Sequence, residues 1–323
     1  MPVHRRSERE KLKENRPFAD KHKLRETQLS KIANEFRGNR ERVYHAAMIV
    51  GGALLWYAVF HFVFKHWTDP KLGRLSHLFV TYGLAFAIGA WLASGYYRAW
   101  AFGNMVLLGP TQFPELHDMV VEGAREIGLD KAPTTFLYNS NGLFNAFARR
   151  IFGGRFIFLT SALVEANNDA QVRFVIGHEL GHHAAGHLNP WLNAIKLPAY
   201  GVPFLGKAYS RSREYTCDRI GAALSKDLGT SRRALQMLGC GCRRLNDSMN
   251  CEAFAAQEDQ VPAIFGFLSE ISRTHPRLTR RMDNISRHSN RMTIDGSNFV
   301  EPEFRIGEAA WRSSESSSVS ADR

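Results

Sequence analysis

Two long uncharged stretches dominate the pattern of hydrophobic and polar positions along the chain. Residues 44–64 read YHAAMIVGGALLWYAVFHFVF and residues 75–97 read LSHLFVTYGLAFAIGAWLASGYY, and neither contains Asp, Glu, Lys or Arg. As a helix, each is long enough to cross about 30 Å of hydrocarbon. The short loop between them breaks at Asp69-Pro70. The pattern therefore predicts a transmembrane hairpin in a lipid bilayer, and a buried hairpin in a soluble core is the alternative.

A basic segment, residues 1–43, precedes the hairpin. It carries thirteen Lys or Arg against seven Asp or Glu, more than half of the formal excess of +11. Because positive charge collects on the cytoplasmic side, we expect a multi-pass protein of an inner or cytoplasmic membrane with its catalytic domain in the cytoplasm. The connecting loop is basic too, which weakens this assignment of orientation. The segment would suit anionic lipid headgroups, and no nucleic-acid partner is expected because aromatic interleaving is missing.

After the hairpin the pattern changes to that of a soluble α+β domain, residues 104–307, and a Ser-rich tail, residues 308–323, predicted to be disordered. TTFLYNS (134–140) and GGRFIFLT (153–160) are rich in β-branched and aromatic residues, as strands are. The fold class is therefore predicted as a two-helix transmembrane hairpin followed by a mainly helical domain with a small β-sheet.

Helix signals dominate the middle of this domain. Potential caps at residues 167–169 predict a helix through Leu188, and a second helix is expected from about 208 to 225. Residues 190–206 between them are apolar but broken by proline, so a spanning helix is not expected there. Two alternatives stay open for that stretch: it lies against the bilayer beside the active site, or it packs as ordinary core.

Candidate chemistry lies on the first of these helices, in VIGHELGHHAAGHL (175–188). His178 and His182 are four residues apart and share one helix face, with Glu179 between them. In this H-E-x-x-H arrangement two neutral imidazoles hold one zinc ion and the glutamate activates the attacking water. His187 is at the wrong offset for the third ligand of a metzincin, so we expect a histidine at the surface or behind a ligand.

The second helix offers the third ligand that a catalytic zinc needs. Glu214 and Asp218 in SREYTCDRIG are again four residues apart, so Glu214 is expected to bind zinc while Asp218 accepts a hydrogen bond from a ligand histidine. A solvated helix with intrahelical charge pairs is the alternative for these residues. A zinc role for Cys240 and Cys242 is weakly supported, because the chain has no CxxC pair.

Four motifs together resemble peptidase family M48, the HtpX-like membrane zinc metallopeptidases related to the CAAX prenyl proteases. The motifs are NAFA (145–148), HELGHH (178–183), SREYTCDRIG (212–221) and THPRLTRRM (274–282). The resemblance implies a gluzincin-type domain with zinc between His178, His182 and Glu214. Cys217 replaces an alanine that is usual in the family, an exchange not expected to disturb the site.

The resemblance also assigns roles outside the zinc ligands. Asn145, Ala146 and Phe147 match an edge strand that holds extended substrate backbone, and His275 matches a histidine that faces the oxyanion. HtpX itself has two further membrane spans near its catalytic segment. This sequence shows no matching uncharged stretches there, so family members with two spans are expected to be the closer relatives. The function expected is a membrane-anchored zinc metalloendopeptidase acting on polypeptides, including membrane proteins, in turnover or quality control. A scaffold with an inactive site and a lipid- or nucleic-acid-binding protein are the alternatives.

Overall fold

The structure is a computed structural model that describes residues 34–292. Most of the basic segment predicted for residues 1–43, and the whole Ser-rich tail, lie outside the described residues. The expected fold class is confirmed: two apolar helices precede a mainly helical domain that contains one small mixed sheet.

The hairpin consists of α1 (Asn39–Lys65) and α2 (Gly73–Asn104). Both helices extend beyond the predicted spans. The turn between them is fixed by the Asp69 side chain, which accepts hydrogen bonds from the backbone N–H groups of Lys71 at 2.7 Å and Leu72 at 2.8 Å. Both helices are long and apolar enough to cross a membrane, with mean hydropathies of 1.9 and 1.6. Most of their large apolar side chains are exposed, unlike those of a soluble core hairpin.

The sheet contains β1 (Val106–Leu107), β2 (Thr134–Tyr138), β3 (Ala146–Ile151) and β4 (Gly154–Thr160) in the order β1-β2-β4-β3. The central pair β2–β4 is parallel and the outer pairs are antiparallel. β3 and β4 form a hairpin whose two loop residues, Phe152 and Gly153, both have positive φ, as a tight primed turn requires. Among the described strands β3 pairs with β4 alone, so it forms an edge of the sheet.

The remaining helices surround the sheet and complete the domain. In chain order they are α3 (Pro114–Glu126), α4 (Ser161–Ala166), α5 (Asp169–Ala184), α6 (Pro190–Lys196), a 3-10 helix (Leu197–Gly201), α7 (Leu205–Ser225), α8 (Leu228–Cys240), α9 (Arg243–Ser248), α10 (Cys251–Ala256), a second 3-10 helix (Gln257–Gln260), α11 (Ala263–Ile271) and α12 (Leu278–Met292).

Helix α5 is central because it packs on the sheet, on α3 and on α7. Its N-terminus is a full capping box, in which Asn168 and Gln171 exchange side-chain to backbone hydrogen bonds. The helix ends at Ala184, four residues before the predicted end at Leu188. The reason is Gly186, whose φ of 71° turns the chain out of the helix and directs the following residue back toward the site.

Helices α5 and α7 approach each other at backbone distance. A Cβ atom added to Gly177 would lie 2.9 Å from the Cα atom of Gly221, and one added to Gly181 would lie 3.2 Å from the Cα atom of Cys217. Glycine is therefore required sterically where the helices cross. The close crossing places the side chains of the two predicted motifs against each other.

Candidate metal centre

Two histidines from α5, His178 buried and His182 half-buried, face one buried carboxylate from α7. The Nε2 atoms of His178 and His182 lie 3.6 Å from Oε2 and Oε1 of Glu214, respectively. The two imidazole rings are 5.2 Å apart, centroid to centroid, and nearly perpendicular. The structure thus brings together the three residues that the sequence predicts as zinc ligands.

The separations suit a shared metal ion better than direct hydrogen bonds. Hydrogen bonds between nitrogen and oxygen normally measure 2.7–3.2 Å. Two ligand atoms bound to zinc at about 2.0–2.1 Å with a tetrahedral angle lie about 3.3 Å apart. The 3.6 Å distances from Glu214 to both rings are close to that value. The donor set, two imidazoles and one carboxylate, is also typical of catalytic zinc sites.

Cys217 is a second possible partner for the two histidines. Ligand atoms of His178, His182 and Cys217 all lie within 4.8 Å of one another. Burial raises the pKa of the Cys217 thiol well above its ordinary value, so the thiolate form that binds metals is disfavoured. Its sulfur lies 3.6 Å from Nδ1 of His187, which gives the thiol a hydrogen-bond acceptor. Cys240 and Cys242 belong to no such cluster within the described part of the chain.

Asp218 lies behind His178, where the sequence predicts it. Its Oδ1 atom is 2.9 Å from Nδ1 of His178, which leaves Nε2 of that ring free to face Glu214. Arg281 donates two hydrogen bonds to the same carboxylate, at 2.7 and 2.8 Å. Burial alone would raise the pKa of Asp218, but the charge of Arg281 lowers it to about 2. The ionised carboxylate fixes the orientation and the tautomer of His178.

Glu179 is buried beside the two histidines and lines the cleft. Burial raises the pKa of Glu179 to about 7, with a further contribution from the negative charge of Glu214. The backbone N–H of Ala148 on β3 donates a hydrogen bond to the Glu179 carboxylate. A carboxyl group with a pKa near neutrality is suited to both accepting and returning a proton.

His275 lies at the mouth of the same cleft. Its Nε2 atom is 3.6 Å from Oε2 of Glu214, and its side chain is 67% exposed. A segment distant in sequence thus supplies an exposed imidazole at the open side of the site. The cleft has a volume of about 430 Å³.

The edge strand β3 forms one wall of this cleft, and the residues of its first half that line it are Asn145, Ala146, Phe147 and Ala148. The backbone of Asn145 faces β4, since its carbonyl accepts from the Thr160 N–H at 3.1 Å. Inward and outward backbone groups alternate along an antiparallel strand, so Ala146 and Ala148 direct theirs to the open edge. The backbone groups of Phe147 face β4, like those of Asn145, and its ring stacks on the Phe158 ring with centroids 4.8 Å apart. Asn145, Ala146 and Phe147 all line the cleft, and their role in binding substrate stays a prediction.

His187 lies behind His182, one of the two positions expected for it, whereas Glu41 is a site residue that the sequence analysis missed. His187 is buried, not at the surface, and its Nδ1 atom lies 3.2 Å from Nδ1 of His182. Its other ring nitrogen lies 3.0 Å from Oε1 of Glu41, on the first turn of α1. Glu41 falls inside the charge-rich segment, where nothing in the sequence distinguishes it from the other acidic residues except its position close to the start of the uncharged run.

Comparison with known proteins agrees with this site. The sequence profile of peptidase family M48 matches residues 110–196 and 189–289. The plastoglobule-localized metallopeptidase 48 of Arabidopsis thaliana chloroplasts is 32% identical over 170 residues, which cover 48% of this chain and 48% of that protein. The chain therefore matches about half the length of this curated relative. The crystal structure of S. mikatae Ste24p resembles the fold with a TM-score of 0.43 and 15% identity, covering 77% of this chain and 66% of that one.

The family match extends over more than half of the chain and includes both motif helices, the edge strand and the segment that carries His275. A group that could hold a metal ion, His178, His182 and Cys217, lies inside the matched region. The chain therefore belongs to peptidase family M48.

Proposed function

We propose that the protein is a membrane-anchored zinc endopeptidase in which His178, His182 and Glu214 hold one zinc ion and Glu179 is the general base. The observation that carries this proposal is the geometry of the two imidazole Nε2 atoms, each 3.6 Å from the Glu214 carboxylate, with Glu179 adjacent and buried. Zinc is favoured over harder cations because imidazole nitrogen supplies two of the three ligands.

Glu214 is the better third ligand than Cys217 because its carboxylate faces both Nε2 atoms, whereas the buried thiol contacts the Nδ1 side of the site through His187. Glu214→Ala should abolish stoichiometric zinc binding, whereas Cys217→Ser should retain about one zinc per chain. Loss of zinc in Cys217→Ser with retention in Glu214→Ala would assign the ligand the other way.

The residues around the site can divide the work of peptide hydrolysis. Zinc in such a site polarises the scissile carbonyl and lowers the pKa of a water molecule to near 7. Glu179 then takes the proton of the attacking water and returns it to the leaving amine. His275 is positioned to donate a hydrogen bond to the carbonyl oxygen as negative charge develops on it.

The edge strand gives a reason for substrate binding in extended form. The open backbone groups of Ala146 and the carbonyl of Ala148 can pair with a substrate segment as an added antiparallel strand, while the Ala148 N–H donates to Glu179. Main-chain pairing of this kind supplies affinity with little preference for side chains. We therefore propose unstructured polypeptide segments as the substrates.

Membrane anchoring is proposed from α1 and α2 together with the packing of α6. A Cβ atom on Gly52 would lie 2.2 Å from the carbonyl oxygen of Ile195, and the Trp56 indole donates to the carbonyl of Ala194 at 2.9 Å. Gly52 lies eight residues into the apolar run, about 12 Å along the helix. If α1 spans a bilayer, α6 lies within its hydrocarbon region.

This packing favours the bilayer alternative for residues 190–206. Trp191 at the start of α6 is 80% exposed, whereas ordinary core packing would bury it. Trp191→Ser should lower cleavage of a bilayer-embedded substrate and leave cleavage of a soluble peptide and the melting temperature unchanged. Equal loss of both activities with a lower melting temperature would show that the stretch is core. The Arabidopsis relative is named as plastoglobule-localized, so a lipid-bounded compartment is the proposed setting.

The direct test of zinc dependence uses the purified full-length protein in detergent. A chelator should abolish cleavage of an unstructured peptide, and one equivalent of zinc should restore it. Cleavage that survives complete metal removal, or that zinc fails to restore while another divalent ion succeeds, would contradict the proposed cofactor.

A further inference from the structure

Glu41 is a buried carboxylate at the head of an otherwise apolar helix. Its side chain is 1% exposed. Three groups contact it: the Arg37 guanidinium at 2.8 Å, the Thr216 hydroxyl and the His187 ring at 3.0 Å. Burying a charge is unfavourable unless it is paired and hydrogen-bonded. Three hydrogen-bonding partners around one buried carboxylate indicate that Glu41 does more than mark the start of the apolar helix.

The contacts of Glu41 lead to both helices of the metal centre. Thr216 belongs to α7, two residues after Glu214. The Arg37 guanidinium also donates to the carbonyl of Ala185, the residue that caps α5. The start of the apolar helix is thus tied to the C-terminal end of α5 and to the middle of α7.

His187 connects Glu41 to the metal ligand His182. Gly186 turns the chain after α5, and the backbone N–H of His187 then bonds the carbonyl of His182 at 3.1 Å. This turn places the His187 ring between the two groups, with Nδ1 at 3.2 Å from Nδ1 of His182 and Nε2 at 3.0 Å from Glu41. Each ring nitrogen of His187 thus faces one partner, and a neutral ring has one N–H donor and one acceptor to offer.

A single arrangement of protons satisfies every contact in this chain. His182 directs Nε2 toward Glu214, so a metal at that nitrogen leaves its proton on Nδ1. That proton is donated to Nδ1 of His187, which must then carry its own proton on Nε2. The latter is donated to the Glu41 carboxylate.

We propose that Glu41 is a positioning residue for the metal ligand His182 and acts through His187, so that the first apolar helix forms part of the metal centre. The inference rests on the proposed function in taking His182 as a ligand. Each ligand histidine is then hydrogen-bonded, directly or indirectly, to a buried carboxylate. His178 bonds Asp218 directly, and His182 reaches Glu41 through the imidazole of His187. The first comes from the catalytic helix α7 and the second from the membrane anchor.

The test measures zinc affinity of the full-length protein in detergent by competition with a chromophoric chelator. Groups that orient a ligand histidine typically contribute about 10–100-fold to metal affinity. Glu41→Gln and His187→Phe should each weaken zinc binding by about tenfold or more, with about one zinc still bound at saturation. The double variant should bind zinc no more weakly than the more affected single variant, because both substitutions break the same series of hydrogen bonds. The visible spectrum of the cobalt-substituted protein should change in all three.

Met48→Ala is the matched control for loose docking of the apolar helix. Met48 lies two turns along α1 from Glu41 and is fully buried against Ala199 and Tyr209. It is not one of the hydrogen-bonded residues that connect Glu41 to His182. It should lower the melting temperature and leave zinc affinity within about twofold of wild type. Equal loss of affinity in Met48→Ala and Glu41→Gln would show that Glu41 acts through helix docking alone, which overturns the inference.

The outcomes separate this inference from the proposed function. If wild type binds zinc, His182→Ala loses it and Glu41→Gln stays within twofold of wild type, the inference alone is wrong. If wild type binds no zinc, or His182→Ala binds it unchanged, the proposed ligand set is wrong. Should Glu41→Gln fail to fold, His187→Phe decides the matter, since it leaves Glu41 paired with Arg37; unchanged affinity there refutes the inference.

Discussion

The backbone contact between α5 and α7 gives a sharp test of how the metal centre is assembled. A Cβ atom on Gly221 would lie 2.7 Å from the carbonyl oxygen of Phe174 and 3.1 Å from the backbone nitrogen of His178. Both neighbours are helix backbone, so neither can move alone. We predict that Gly221→Ala forces the two helices apart and separates Glu214 from the two histidines.

Two opposing effects decide whether Gly221→Ala raises or lowers the free energy of unfolding. Helix propensity alone favours Ala over Gly by about 1 kcal/mol. Carbon–oxygen contacts normally begin near about 3.3 Å, so the helices must separate by about 0.6 Å. Overpacking of this kind costs about 1–3 kcal/mol. The net result is a loss of as much as about 2 kcal/mol in the free energy of unfolding.

The functional loss should exceed the loss of stability. Ligands must be held within about 0.5 Å of the productive geometry. A misplacement of about 1 Å can reduce the rate about 10²-fold, so a reduction approaching that size is expected in kcat/KM for an unstructured peptide. Zinc affinity, measured by chelator competition, should fall in parallel.

Gly239→Ala is the matched control, because the added Cβ would meet only side chains at 3.4 Å or more. This variant on α8 should be neutral or slightly stabilising, with normal zinc affinity and cleavage. The reasoning is refuted if Gly221→Ala melts at or above the wild-type temperature and retains wild-type zinc affinity.

Three further predictions address other parts of the account. His275→Ala should lower kcat by about 10²-fold and keep one zinc per chain, and steady-state kinetics with metal analysis would expose a ligand role if zinc is lost. Burial raises the pKa of Glu258, but hydrogen bonds from three neighbouring side chains lower it to about 2 from an ordinary value of 4.5. The carboxylate therefore stabilises the fold above about pH 4.5, and this stability is lost as the pH falls toward 2; Glu258→Gln should flatten that part of the stability curve, and an unchanged curve would contradict it. Reporter fusions at Asp69 and after Arg323 should give opposite signals, whereas equal signals would refute the two-span topology.

The parts of the site that sequence reasoning located are those with a local period. His178 and His182, like Glu214 and Asp218, are spaced by one helical turn, so each pair is fixed once the helix is recognised. The capping signal at Asn168 likewise marks the start of α5 correctly. Their meeting across the helix crossing was predicted from the need of a catalytic zinc for a third ligand and from the family resemblance, because spacing within one helix says nothing about its neighbour.

The parts that sequence reasoning missed depend on contacts between distant segments. Gly186 ends α5 early through its positive φ, and the resulting turn directs His187 inward. Glu41 and His187 are 146 residues apart, so no local pattern connects them. The backbone groups of β3 that face its open edge are fixed by the register with β4, which the sequence motif does not encode.

The central claim is that Glu179 moves the proton in peptide hydrolysis at a zinc centre. The most direct measurement compares wild type with Glu179→Gln for zinc content and for cleavage of an unstructured peptide. The account predicts about one zinc per chain and an unchanged melting temperature, with a loss of cleavage greater than about 10²-fold, because an amide cannot accept the proton. Cleavage within about tenfold of wild type by a zinc-loaded Glu179→Gln protein would contradict it.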